Sequence, residues 1–435
     1  MPGVYCTLTG DRQIRLLRRS RTAVCSSTKP EPRVPSVGEA AARHSDGTLP
    51  RVRNGRTVTV GIIGGGQLAR MMHAASIGLG IHVRLLAETR DSSAAQVVHD
   101  VTVGDYTDPT TVRSFAADCD VVTFDHEHVP TGLLRDLESA GVAVRPGPTA
   151  LVHAQDKAIM RDRLTALGAP CPTSRVVADV AALTAFGDEQ GWPIVAKASR
   201  GGYDGKGVWR LDSAAQAAEP FKRLSEGVQI IGEEFVDFSR ELSALVVRSP
   251  SGQAAAYPIS ESVQRNGICV ETTTPAPGLD NEQATAAQQL ALMIAHELGV
   301  VGMLAVELMQ RSDGSVVVNE LAMRPHNTGH WTIDGAHTSQ FENHLRAVLD
   351  LPLGDPSGKE PWTVMANVFG GSIDDLQSAL LHCFARDRRL RVQLYGKQIR
   401  PGRKVGHVTT SGDDLEQTQK RARHAAAYLM GDANA

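Results

Sequence analysis

The sequence predicts an α/β fold in two or three domains, and three observations carry that prediction. At 435 residues the chain is longer than one ordinary domain. Hydrophobic residues make up 42% but aromatics only 4%, with Ala, Val and Gly abundant, as in α/β proteins. From Thr57 onward, short apolar runs alternate with glycine turns and stretches of helical periodicity. No apolar run approaches the ~20 residues that span a membrane. The six cysteines (Cys6, Cys25, Cys119, Cys171, Cys269, Cys383) lack metal-ligand or CxxC spacing, which points to free thiols in a reducing, cytoplasmic compartment.

The formal net charge of −3 conceals an asymmetry. Residues 1–56 carry 11 Lys/Arg against 4 Asp/Glu, leaving 34 against 44 in the remainder. An acidic body argues against nucleic-acid binding. The first 56 residues mix Arg, Ser, Pro and Gly without periodicity and are expected to be disordered. An organelle transit peptide and an over-extended start are alternatives for that stretch.

The fold proper begins with a buried-strand pattern, Thr57 to Ile63, then Gly64-Gly65-Gly66-Gln67-Leu68-Ala69 leading into a helical run. Gly64-x-Gly66-x-x-Ala69 fits a dinucleotide fingerprint, and the strand ending at Glu88 supplies an acid at about the expected distance. An NAD-dependent oxidoreductase is therefore a rival reading. The physics supports only an anion held at a helix N-terminus, and a sugar phosphate would serve as well as a pyrophosphate. The next strand runs from Asp120 into Asp125-His126-Glu127-His128. Alternation puts both histidines opposite Glu127, which argues against a metal there. A helix is expected from Gln155 to Leu167, stopped at Gly168-Ala169-Pro170.

Trp192 to Lys197 reads as a strand, followed by Arg200-Gly201-Gly202-Tyr203-Asp204-Gly205-Lys206-Gly207 and a second strand from Val208. Closely spaced glycines let backbone N–H groups approach a polyphosphate, with Lys197, Arg200 and Lys206 adding charge. It is not a P-loop, because the Gly-to-Lys spacing is one short and a strand follows. A flexible hairpin with surface lysines is the plain alternative. Glu282 to Leu298 repeats apolar residues at helical spacing, so Leu290, Ile294 and Leu298 are core. Two apolar runs then flank Asp313-Gly314, a hairpin-tip signal that sets Glu307 opposite Glu320. Facing carboxylates repel, so a cation between them is expected. Oxygen-only ligands suit Mg²⁺ shared with substrate phosphates. An exposed hairpin whose glutamates face water or lysines is the alternative. Asn319 is expected on the opposite face if the strand is regular. Asp413 to Met430 reads as a terminal helix with a polar face.

In order, GGGQLARM from Gly64, FDHEHV from Phe124, QDK at Gln155 to Lys157, KASRGGYDGKG from Lys197, EEFVDFSRE at 233–241, RPHNTGHW from Arg324 and RPGRKVGH from Arg400 resemble one family. It is the N5-carboxyaminoimidazole ribonucleotide synthetases, ATP-grasp ligases of purine synthesis. The resemblance runs from about Thr57 to His407 and does not include residues 1–56. The family often has Phe-Glu-x-Glu where this chain has Phe124-Asp125-His126-Glu127, which leaves the role of Asp125 open.

The resemblance implies a doubly wound N-terminal domain (57–150), a central α+β ATP-grasp domain (151–350) and a small C-terminal β-rich domain (351–435). It implies ATP-dependent carboxylation of 5-aminoimidazole ribonucleotide by bicarbonate, with Mg²⁺ or Mn²⁺, in a homodimer. Lys157, Lys197 and the loop Gly202, Tyr203, Asp204, Gly205, Lys206, Gly207 and Val208 would hold the ATP phosphates. Glu233, Glu234, Phe235 and Val236 would line the adenine edge, Glu241 would take the ribose, and Gln264 and Asn319 would touch the nucleotide. Glu307 and Glu320 match the metal ligands. Gly64, Gly66, Gln67, Leu68, Lys397, Arg403 and Lys404 would take the acceptor phosphate. Glu127, Tyr203, Asp204 and Lys206 would meet its aminoimidazole and ribose. Arg324, His326 and Asn327 would bind bicarbonate, and Asp204 or His326 would take the amine proton. An ATP-grasp ligase with another acceptor, such as a formate-dependent glycinamide ribonucleotide transformylase, would share the glutamates but lack RPGRKVGH.

Overall fold

In a computed structural model the described residues are 57–201, 207–224 and 227–432, together with two strands, Val4–Leu8 and Ile14–Leu16. Those two strands pair antiparallel with each other, and residues 4–6 pair with Ala254–Ala256 at the edge of the large sheet. The segment expected to be disordered thus carries strand in part, and the rest of 1–56 lies outside the described residues.

Thr59–Ile63, His82–Ala87, Asp100–Val103 and Val121–Phe124 form a four-stranded parallel sheet. Thr59–Ile63 is buried at every position, which is why its sequence carries no charge and is apolar after Thr59. It lies between His82–Ala87 and Val121–Phe124, so the strand order reverses on either side of it. A reversal of this kind opens a crevice at the carboxyl ends of the strands. Gly64–Gly66 and Asp125–Glu127 both emerge there.

The helix expected at Gln155–Leu167 runs Lys157–Ala166, and a separate helix, Pro148–Gln155, precedes it. Asp156 ends the first in an extended conformation, and its side chain caps the second by accepting from the N–H groups of Ala158 and Ile159. The break sets Lys157 at the first turn, beside the strand that carries Lys197. Helix Asn281–Glu297 has the expected core face and a capping box from Asp280 and Gln283.

Ser174–Val177, Ile230–Glu234, Ile194–Ala198 and Val208–Leu211 make a small antiparallel sheet. A large sheet faces it across the cleft, containing Arg240–Arg248, Ser260–Arg265, Ile268–Thr274, Gly302–Gln310 and Val316–Ala322. The C-terminal strands Trp362–Phe369, Lys404–Gly412 and Arg391–Leu394 join the same sheet, because Ile268–Thr274 pairs directly with Trp362–Phe369. The β-rich C-terminal domain is therefore an extension of the central sheet, backed by helices Leu376–Arg386 and Leu415–Met430.

Helix Gln340–Val348 ties the parts together. Phe341, Leu345 and Val348 pack on the N-terminal core with Met71, Met72 and Tyr395, each burial being worth ~1.5–3 kcal/mol. His344 accepts the Met303 N–H at 3.1 Å and contacts Thr123 Oγ1 at 2.7 Å, which links the two strands on opposite sides of the cleft. Among the described residues no helix is long and apolar enough to cross a membrane.

Candidate active site

A cleft of about 1230 Å³ lies between the N-terminal crevice and the two central sheets. Glu307 and Glu320 line it, paired directly across the strands as the sequence predicts. The path to that register is different. Gln310 pairs with Val316 and Leu308 with Val318, one step off a two-residue Asp313-Gly314 tip. The turn is longer: Arg311 N–H donates to Ser315 C=O, and Gly314 sits at φ +85°. An extra residue at Asn319 then restores the Glu307–Glu320 pairing. This bulge also turns Asn319 into the cleft beside Glu320, where a regular strand would have sent it away.

Burial, then Glu320 and Glu241, push the Glu307 carboxyl up to about 8. Two facing carboxylates with an amide oxygen beside them are a hard-cation donor set. Among the described residues no group of three or more His, Cys, Asp or Glu side chains gathers to hold a metal. The remaining positions would fall to water and phosphate, as Mg²⁺ prefers.

Lys157 donates to Glu320 at 2.7 Å. The buried Lys197 ammonium reaches Asn319 Oδ1 at 3.1 Å and Glu233 at 2.8 Å. Glu233 does not face the cleft. It is buried between Lys197 and Arg161, whose Nε donates to it at 2.7 Å. Burial alone would raise its carboxyl, but Lys197 and Arg161 overcome that and hold it at about 2. Glu233 is thus the anchor of Lys197. Glu234 pairs with Arg311 at 2.8 Å, the Phe235 ring lies under the Arg210 guanidinium, and Val236 is buried with Met309 and Val317. None of these four side chains lines the cleft, so an adenine edge there would use backbone. Glu241, Gln264 and Val208 do line it, and burial raises the Glu241 carboxyl to about 6. Gly207, at φ +72°, closes the glycine loop through its C=O to the Ala198 N–H. Gly202, Tyr203, Asp204, Gly205 and Lys206 lie outside the described residues.

On the opposite wall are Gly66, Gln67, Leu68, Glu127 and Lys404. Lys397 donates to Gln67 Oε1. Burial, then the Arg403 charge, bring the Lys397 ammonium down to about 8. Arg403 itself is exposed and does not line the cleft. Gly64 sits behind the wall at φ +109°. The glycines there answer to Asp125: a Cβ on Gly64 would meet its Oδ1 at 2.0 Å, and one on Gly66 its Oδ2 at 2.5 Å. The carboxylate accepts from Gly66 and Ala69 N–H groups, and burial still raises it to about 6. Asp125 thereby occupies part of the helix N-terminus that looked vacant in the sequence.

Glu127 and Arg324 were assigned separate partners by resemblance, yet they meet in an ion pair of 2.8 Å. Glu127 also accepts the Met323 N–H at 3.3 Å, which joins the two walls. His126 and His128 stack on each other, 5.3 Å between ring centres. Burial, then Arg324 and Lys404, press the His326 imidazole down to about 3, so it is neutral. Its Nδ1 faces Thr328, leaving Nε2–H toward Glu307 at 3.3 Å. A neutral ring in that tautomer is a donor rather than a base. Asn327 lines the cleft, and its buried amide has no nitrogen or oxygen partner among the described residues. Arg161, the pairing of Arg200 with Asp156 at 2.7 Å and the cleft residues that flank the expected Gln264 between Glu261 and Cys269 were missed in the sequence. None carries a local signature, since each is defined by a partner far along the chain.

Three family models tile this architecture: a ribonucleotide synthetase preATP-grasp domain over 57–155, an ATP-grasp domain over 162–341 and a phosphoribosylaminoimidazole carboxylase C-terminal domain over 363–421. The N5-carboxyaminoimidazole ribonucleotide synthase of Mycobacterium tuberculosis (strain ATCC 25618 / H37Rv) is 54% identical over 375 residues, covering 85% of this chain and 87% of that protein. This chain belongs to the N5-carboxyaminoimidazole ribonucleotide synthase family. The Corynebacterium ammoniagenes synthase is 49% identical over 86% of this chain and 92% of its own length. The N5-carboxyaminoimidazole ribonucleotide synthetase structure from Thermus thermophilus matches with TM-score 0.78 and 35% identity, over 86% of this chain and 99% of that one. The Aspergillus clavatus N5-carboxyaminoimidazole synthase, solved with ADP and 5-aminoimidazole ribonucleotide, matches with TM-score 0.78 and 29% identity, over 86% and 98%. Membership of the synthase family makes the chain an ATP-dependent ligase and removes the oxidoreductase reading of the Gly64–Ala69 segment.

Proposed function

We propose that this protein carboxylates 5-aminoimidazole ribonucleotide with bicarbonate at the expense of ATP, giving N5-carboxyaminoimidazole ribonucleotide, ADP and phosphate. The observation that carries this is one cleft with Glu307, Asn319, Glu320, Lys157 and Lys197 on one wall and Gln67, Glu127 and Lys404 on the other. The first wall suits a metal-bound triphosphate, the second a phosphorylated acceptor.

Lys157 and Lys197 neutralise the ATP phosphates, and Glu241 accepts from the ribose hydroxyls. Glu307 and Glu320 would hold Mg²⁺, which supplies charge neutralisation on the β- and γ-phosphates. A bicarbonate oxygen attacks the γ-phosphorus, the bond to the ADP oxygen breaks, and carboxyphosphate forms. Arg324 and Lys197 stabilise the charge spreading over the phosphoryl oxygens. Asn327 and the His326 Nε2–H donate to the carboxyl end. Carboxyphosphate releases CO₂ and phosphate in a site closed to water. The exocyclic amine of the ribonucleotide adds to CO₂ and loses one proton, forming the carbamate. Gln67, Lys397 and Lys404 hold the acceptor phosphate, with Arg403 adding only its charge from outside the cleft, and Glu127 meets the aminoimidazole ribose. Asp204 takes the amine proton better than His326, whose free nitrogen carries hydrogen. The enzyme works as a homodimer in the cytoplasm.

The test is ATP turnover with labelled bicarbonate. One acid-labile label should appear on the ribonucleotide per ATP consumed, and only when both co-substrates are present. Stimulation by formate in place of bicarbonate would move the chain to the transformylase reading.

A further inference from the structure

Gln340 belongs to none of the motifs that mark the site, yet it holds the loop that carries them. It begins helix Gln340–Val348 and is fully buried. Its Oε1 accepts the His326 N–H at 2.8 Å, and its Nε2 donates to the His326 C=O at 2.7 Å. One amide thus pairs both backbone polar groups of a single residue. Gly329 packs so closely on it that a Cβ there would meet Gln340 Oε1 at 2.4 Å. The Gln340 N–H donates to Thr332 Oγ1 at 2.9 Å, and that hydroxyl donates to Gly329 C=O at 2.6 Å. Both ends of the 326–329 segment are therefore tied to the start of this helix.

We infer that Gln340 is a positioning residue for the carboxylation, clamping the His326 backbone so that its Nε2–H meets Glu307 and Asn327 stands in the cleft. The inference rests on the functional reading above. Only a neutral amide fits. The clamp needs one acceptor and one donor side by side, in an interior where an unpaired His326 N–H or C=O would be left without water to replace the bond. A leucine offers neither group. An ionised glutamate offers two acceptors, one of them against the His326 C=O. Lys397 and Gln67 of the acceptor-phosphate group are bonded to each other and not to Gln340 or the His326 backbone, so their contribution should survive the clamp's loss.

The experiment compares the full-length protein with Gln340→Leu, Gln340→Met and Gln340→Glu. It measures bicarbonate- and ribonucleotide-dependent ATP turnover, and separately the affinity for 5-aminoimidazole ribonucleotide. The Leu and Met substitutions should lower kcat tenfold or more and raise the bicarbonate KM, with ribonucleotide affinity within twofold of the parent. For Gln340→Glu, activity relative to the parent should climb as pH falls, because the protonated carboxyl can again donate to the His326 C=O. The facing imidazole, His330, lies with Nδ1 3.4 Å from the amide and is held neutral by burial, so it does not titrate in that range. Parent-like kcat after Gln340→Leu would overturn the inference. So would an equal loss of affinity for every substrate, or a pH-independent ratio for Gln340→Glu. If Gln340→Leu does not fold, the Met and Glu substitutions decide by the same readouts. A parent protein without bicarbonate-dependent turnover would instead overturn the functional reading, and the clamp's role with it.

Discussion

The two walls of the cleft hold their charges in different ways. On the nucleotide wall, charges lock one another: Arg161 and Lys197 share Glu233, and Lys157 takes Glu320. These cations have their positions set before any substrate arrives, which is the preorganisation that phosphoryl transfer rewards. Glu307 is the exception: burial, then Glu320 and Glu241, raise it to about 8, and its one ion-pair contact is to the neutral His326 imidazole. On the acceptor wall the cation Lys397 is held by a neutral amide, Gln67, and the buried carboxylate Asp125 sits in a glycine nest rather than on a cation. The first wall is set by internal ion pairs, and on the second an amide rather than a carboxylate seats Lys397.

The strongest way to break this contrast is to remove a charge from the nucleotide wall. Glu307→Gln or Glu320→Gln should lower ATP turnover by about 10³-fold or more. Apo stability of Glu307→Gln should stay level or rise slightly, because one of two facing carboxylates is neutralised, whereas Glu320→Gln also loses the Lys157 pair. Near-parental turnover in either variant would end the metal-pair reading. Glu233→Gln should come next, at about 3–5 kcal/mol of stability, since two buried cations lose their shared counter-charge. Its sign with pH follows from a carboxyl held at about 2. The stabilisation is complete above the unfolded value of ~4.3 and is lost as pH falls toward about 2. Urea titrations of parent and variant should therefore converge on acidification, and curves that stay parallel from pH 7 to 3 would contradict the buried-pair account.

The same contrast explains what was legible in the sequence. The Glu307–Glu320 pairing is local, fixed by a turn and a few residues of ladder, so a pattern argument reaches it. Even there the register arises from a longer turn compensated by a bulge, and the bulge is what turns Asn319 inward. The strand at Thr59–Ile63 and the glycine turn into a helix were legible for the same reason, whereas the doubly wound arrangement came from the family resemblance. The glycines at 64–66 were read as room for a phosphate, whereas the group that fills the space, Asp125, arrives from a neighbouring strand. Glu233 looked like part of an adenine hinge until its long-range partner Arg161 was placed. Gln340 and the continuity of the C-terminal strands with the central sheet depend wholly on tertiary pairing, and no local signal encodes them.

Asp125 sharpens the comparison with a smaller effect. Its carboxyl is raised to about 6 by burial, against the pull of the Gly66 and Ala69 N–H groups. A raised acid stabilises the fold fully below the unfolded value of ~3.9 and loses that contribution as pH climbs to about 6. Asp125→Asn keeps an acceptor for the two N–H groups and removes the buried charge. The variant should gain on the parent between pH 4 and 6 and then hold a lead of about 2–3 kcal/mol. If the helix N-terminus instead favours the carboxylate outright, the variant will fall behind over the same range.

The smallest expected effect concerns the acceptor wall alone. Lys397→Ala or Lys404→Ala should raise the ribonucleotide KM about tenfold and leave the ATP KM within twofold, because one lost phosphate contact acts on only one substrate. Lys397 offers a second handle, since its ammonium titrates at about 8 with Arg403, Asp125 and Lys404 as its charged neighbours. It is charged below that pH and neutral above it, so the parent's ribonucleotide KM should rise through pH 8–9. Lys397→Ala should lack that rise, already having lost the charge, and Lys397→Arg should restore tight binding at pH 9 because a guanidinium stays protonated. An ATP KM that moved with Lys404→Ala would place RPGRKVGH on the nucleotide side. The division between a self-locked nucleotide wall and a separate acceptor wall would then fail at its most exposed point.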